Sequence, residues 1–186
     1  MVIGSAPAPI TELKAGKYYV GDLCQILNEE FGFDWKDVLE QTGYFGSYPP
    51  GTRIETGSPS ETERILAENP FDKDEYTGYF EYKGAKFFCS QTAFGDGYYS
   101  DNEDRNYPVD AGNIGCFPME ELDLDASIYS GIEELVEEVE PNKSLEWNEG
   151  HIIEFAEEFS CAPVDEDGVI RIGRLSINTG DLFDWE

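Results

Sequence analysis

The chain has 186 residues, with 40 Asp and Glu against 12 Lys and Arg, a formal net charge of −28, and 40% hydrophobic and 14% aromatic content. That apolar share is enough to fold a core, which excludes a purely disordered acidic tract. Seven lysines and five arginines are too few for the basic patch that nucleic-acid phosphates or an anionic membrane surface require. A single domain carrying its acid on a folded body is expected, with basic proteins and cations as its favoured partners.

Met1 to Pro9 lacks the basic start and apolar run of a secretory leader, and no stretch reaches membrane-spanning length. Lys17 to Val20 reads as a strand, and Asp22 followed by Gln25 gives a capping-box signal for a short helix through Leu27. Trp35, Val38 and Leu39 at helical spacing predict a second short helix over 34–41. Residues 48–70 are rich in Pro, Gly, Ser and Thr and read as an excursion from the core, carrying a helix that starts at Ser58-Pro59 and runs to Glu68. From Thr77 the texture turns to strands. Tyr79 to Tyr82 and Ala85 to Thr92 flank Lys83-Gly84 as a hairpin, and further strands are expected at 107–110, 114–117, 151–159 and 169–177. A helix from Ser130 places Ile132, Leu135, Val136 and Val139 on one face. The predicted class is α+β, a mainly antiparallel sheet or open barrel with a few short helices.

Cys24, Cys89, Cys116 and Cys161 contain no CxxC pair and no zinc spacing, so reduced, mostly buried thiols and a cytoplasmic location are expected. Cys24, near a helix start, is the thiol most open to pKa lowering, although nearby acids oppose it. His151 is the sole histidine and reads as a strand-edge residue; no nucleophile signature accompanies it. The loop with Asp96, Asp101, Glu103 and Asp104 reads as an acidic turn, with weak calcium binding as the alternative and no EF-hand register. Asp110, between apolar neighbours and glycines, reads as a structural carboxylate.

The charge is graded along the chain: residues 1–50 carry −4, 51–120 carry −8 and 121–186 carry −16. Its densest runs are Glu133, Glu134, Glu137, Glu138 and Glu140, then Glu154, Glu157 and Glu158, then Asp165, Glu166 and Asp167. The tail Leu182-Phe183-Asp184-Trp185 is either a docking peptide or a segment that closes the core.

The strings Tyr19-Val20-Gly21-Asp22-Leu23-Cys24, Phe94-Gly95-Asp96-Gly97 and Tyr107-Pro108-Val109-Asp110-Ala111-Gly112-Asn113-Ile114-Gly115 resemble a set of small proteins of phages, mobile elements and bacteria. The resemblance implies a phage-like context and carries over no activity. Two functions of different class follow. The first is a non-enzymatic acidic binding protein, needing no cofactor, that mimics nucleic-acid phosphates and inhibits a basic host protein in the host cytoplasm, an anti-defence role. The second is a cation- or ligand-binding domain or enzyme built on Asp96, Asp101 and Asp110. Acidity as adaptation to high salt is a third source of the charge.

Overall fold

The computed structural model describes residues 11–33, 37, 77–122, 132–141 and 143–180. The predicted 34–41 helix, the 48–70 excursion, the Ser130 start and the C-terminal tail lie wholly or largely outside the described residues.

Among the described residues, aromatic and β-branched runs separated by tight turns give eleven strands in two sheets. The first sheet runs β2-β3-β6-β1-β8-β7 and is antiparallel throughout. Its strands are β1 (Gly16–Gly21), β2 (Gly78–Tyr82), β3 (Ala85–Gln91), β6 (Asn113–Pro118), β7 (Ser144–Trp147) and β8 (Gly150–Phe155). The second sheet runs β5-β4-β11-β10-β9, from β4 (Gly97–Asp101), β5 (Asn106–Val109), β9 (Cys161–Ala162), β10 (Val169–Ile172) and β11 (Leu175–Asn178), again all antiparallel. The expected antiparallel class holds, and two packed sheets take the place of the open barrel.

The central strands β1, β6 and β8 of the first sheet are buried on both faces, which explains their apolar runs at 18–20, 114–118 and 152–153. Tyr18, Val20, Phe88, Cys116 and Ile153 meet Tyr99, Tyr107, Ile170, Ile172 and Ile177 of the second sheet. On the opposite face Tyr19, Phe87, Phe117 and Ile152 pack under a layer of short helical segments that contributes Leu23, Ile26, Phe31, Met119, Leu122 and Val139. That layer holds 3₁₀ turns at Leu23–Gln25, Glu29–Phe31 and Met119–Glu121, and the helix α1 (Ile132–Glu138).

Turn chemistry sets the register. Lys83 and Gly84 both have positive φ (49° and 88°), as do Asn148 and Glu149 (49° and 63°), the conformation that lets two residues close a hairpin in step with strand twist. The Lys83-Gly84 hairpin is the predicted one. The predicted strand over 169–177 is instead two strands folded back at Gly173-Arg174, with Ile172 paired to Leu175. The strand expected to continue to Phe159 stops at Phe155, and Phe159 bridges back to Leu13.

Candidate functional site

The carboxylates divide into those that hold the fold and those that face solvent. Asp22 caps the Leu23–Gln25 turn through Cys24 N–H (3.1 Å), while its other oxygen accepts from the N–H groups of Asp110 (2.7 Å) and Ala111 (2.8 Å). One buried side chain thus ties two of the three sequence motifs together. Burial pushes its carboxyl above the ordinary value despite these three donors.

Asp101 is the second hub. Its Oδ1 accepts from the N–H groups of Glu103 (2.8 Å) and Arg105 (3.0 Å), and its Oδ2 from Arg105 Nη1 and the Tyr107 hydroxyl, both at 2.7 Å. Burial opposes ionisation of Asp101, yet these donors together hold the carboxyl below its usual range. Arg105 also pairs with Glu103 and donates to Ser144 Oγ (2.7 Å), joining the β4–β5 turn to the first sheet.

This geometry separates the acidic loop residues. Asp96 precedes β4 and Asp101 ends it, so the strand holds them roughly 16 Å apart. Asp96 and Asp110 flank the Gly97–Val109 end of the β4–β5 ladder, whereas Asp101, Glu103 and Asp104 form the turn at its other end. The expected grouping of Asp96, Asp101 and Asp110 is therefore not assembled. Among the described residues no three His, Cys, Asp or Glu side chains are placed to hold a metal ion.

His151 is the second residue of its strand, at the strand start where it was expected. It lies in β8, between β1 and β7, only 8% exposed, with Nε2 2.9 Å from the Asn106 carbonyl and its ring edge-on to Tyr107 at 5.2 Å. Burial and the neighbouring Asp22 push the Cys24 thiol up, so it stays protonated at neutral pH, contrary to the lowering that a helix start suggests.

The solvent-facing glutamates are where segments distant in sequence converge. β1, the 118–122 segment and α1 enclose a cavity of about 530 Å³, lined by Lys14, Lys17, Glu120, Glu133 and Glu137, with Tyr18, Pro118, Met119, Leu122 and Val136 as its apolar part. An adjoining cavity of about 220 Å³ shares Lys14, Tyr18 and Pro118 and adds Glu12, Lys86, Glu121 and Glu158 as its further charged residues. Lys14 pairs with Glu120, and Lys17 donates to the Val136 carbonyl of α1. Glu154 is the register partner of Lys17, and its carbonyl accepts from Arg174 Nη1 (3.0 Å).

Of the predicted acidic runs, Glu133, Glu137 and Glu158 therefore gather around this face. Glu134 and Glu138 are exposed on α1, Glu157 is exposed beyond β8, and Glu140 pairs with Lys143. Asp165, Glu166 and Asp167 lie elsewhere, on the turn into β10 of the second sheet. There Asp165 accepts from the N–H groups of Asp167 and Val169 (both 3.0 Å) and pairs with Arg171. The acid-rich last third is thus split between opposite outer layers of the molecule. Glu12, Glu120 and Glu121 join the face without belonging to any acidic run, and only their place beside the strand ends of β1 and β6 marks them.

No protein family, curated protein or solved structure matches the chain. Among the described residues, no helix is long and apolar enough to cross a membrane.

Proposed function

We propose that this is a non-enzymatic acidic binding protein whose face around Lys14 receives lysine and arginine side chains of a basic partner. The observation that carries the reading is the convergence of glutamates from four separate segments, Glu12, Glu120 with Glu121, Glu133 with Glu137, and Glu158, on two adjoining cavities with an apolar component. Lysine and arginine have this combined chemistry: an aliphatic stem that covers apolar surface and a cationic head that seeks carboxylates. The net charge of −28 adds long-range attraction for a basic body and repels nucleic acid. A basic groove that normally holds phosphates is the matching partner surface, so competition with nucleic acid, in the manner of a phage-type inhibitor, is the form of the reading that charge favours. α1 spans only about 10 Å, so its glutamates alone cover a short stretch of any phosphate row.

The direct test is fluorescence anisotropy of a labelled arginine-rich peptide titrated with the full chain. Binding is expected to weaken steeply as salt rises, and Glu120→Gln/Glu133→Gln/Glu137→Gln to weaken it about tenfold at low salt with the melting temperature preserved. Equal affinity for the parent chain and the triple variant removes this face as the site.

A further inference from the structure

The face that gathers carboxylates also holds a cation of its own. Among the described residues, Lys14 is the one charged side chain that lines both adjoining cavities. Its backbone is anchored on either side: Leu13 N–H donates to the Phe159 carbonyl (2.8 Å), Phe159 N–H donates to the Leu13 carbonyl (3.0 Å), and Gly16 is the register partner of Phe155. The Tyr18 hydroxyl donates to the Lys14 carbonyl itself (3.0 Å). The side chain therefore leaves from a fixed point in the wall between the cavities, and its ammonium pairs with Glu120. That carboxylate raises the Lys14 ammonium above its ordinary value. The other two lysines of the face are placed differently, since Lys17 is engaged by the Val136 carbonyl of α1 and Lys86 lines only the smaller cavity. Lys14 and Glu120 are exposed over 65% and 57% of their side chains, so an incoming partner has access to the pair.

On the reading of this face as a site for basic side chains, we propose that Lys14 is a tethered placeholder, a resident cation that a partner's lysine or arginine displaces from Glu120. A tethered ammonium forms its ion pair without losing translational freedom, so it competes with an incoming cation at a high effective concentration. Exposed pairs of this kind are weak, and the competition is correspondingly mild. Glu120 is open for part of the time, and the apparent affinity for a cationic ligand falls in proportion to that open fraction, roughly threefold. Before a partner arrives, the same contact neutralises one carboxylate of a face that also holds Glu12, Glu121, Glu133, Glu137 and Glu158, which eases their mutual repulsion. Binding at Glu120 is thus an exchange of one cation for another.

The test is fluorescence anisotropy of the labelled arginine-rich peptide at low salt, with the full chain carrying Lys14→Gln, Lys14→Arg, Glu120→Gln or Lys14→Gln/Glu120→Gln. Lys143→Gln is the matched control, because it removes the same charge from another exposed lysine–glutamate pair, with Glu140, that lines neither cavity. Lys14→Gln is expected to tighten binding about threefold beyond Lys143→Gln, and Lys14→Arg to give no gain. The gain vanishes when Glu120 is already Gln, and the melting temperatures stay at the parent value. A gain no larger than that of Lys143→Gln assigns the effect to net charge, and a gain that persists in the Glu120→Gln background assigns it to repulsion of the peptide by Lys14; either result overturns the placeholder. Both leave the face itself standing as long as Glu120→Gln/Glu133→Gln/Glu137→Gln weakens binding. Equal affinity of that triple variant and the parent removes the face, and the placeholder with it.

Discussion

At the scale of single residues, the informative carboxylates turn out to be the ones the fold consumes. Asp101 spends both oxygens on four donors, and its side chain is entirely buried. Because these bonds lower its carboxyl below the ordinary 3.8, it adds stability that is fully present above that value and is lost as pH falls through the lower folded value. Asp101→Asn is therefore expected to cost about 3 kcal/mol at neutral pH, by stranding Arg105 and Tyr107, and less in acid, where the parent has lost the same increment. Urea unfolding of both proteins at pH 7 and near pH 3 measures this; an equal difference at the two pH values assigns the effect to packing instead. The sequence marks Asp101 only as one acid in an acidic loop. The four donors that redirect it come from a turn residue, an arginine and a tyrosine whose positions depend on the β4–β5 register. Asp22 was legible as a helix cap, and its first oxygen caps Cys24 as expected; the second oxygen's reach across 88 residues to Asp110 was not. That long-range knot gives a physical reason for the first and third motifs to occur in one chain.

At the scale of elements, strands with strong turn signals were legible and those without were not. Lys83-Gly84 announces its hairpin through a glycine that accepts positive φ, whereas Asn148-Glu149 does the same work with two non-glycine residues, so β7 goes unpredicted. Gly173 was hidden inside an apolar run and read as part of one strand. β9 is two residues long, too short to carry a period. The central sheet's glycines carry a sharper constraint than its turns. A Cβ at Gly115 would lie 2.3 Å from the Phe88 carbonyl oxygen and 2.7 Å from Leu23 Cδ1, so neither the β3–β6 ladder nor the helical layer can yield cheaply. Gly115→Ala is expected to cost about 3 kcal/mol. Gly84→Ala, with open space around it but a φ of 88°, is expected to cost about 1 kcal/mol. Thermal melts of the two variants check the order, and a Gly84 variant less stable than the Gly115 variant contradicts this account of the central sheet.

At the scale of the whole molecule, the net charge of −28 resolves into separate surfaces. Composition showed that acid sits on a folded body, and the gradient along the chain pointed to its last third as one patch. Folding divides that third between two outer layers and recruits Glu12 and Glu120 from elsewhere, because antiparallel pairing of β1 with β6 and β8 brings their flanking segments to one side. Linear charge counting has no access to that pairing. The face around Lys14 is accordingly a better target for mutation than the Asp165–Asp167 turn, where Asp165 is engaged in capping and pairs with Arg171. The most direct measurement of the central claim is capture from a host lysate at low salt on the immobilised full chain, run beside the Glu120→Gln/Glu133→Gln/Glu137→Gln variant and eluted first with duplex DNA and then with salt. A basic nucleic-acid-binding protein retained by the parent, released by duplex DNA and largely lost with the variant is the predicted result; identical retention by both chains, or retention that neither DNA nor salt disturbs, contradicts it.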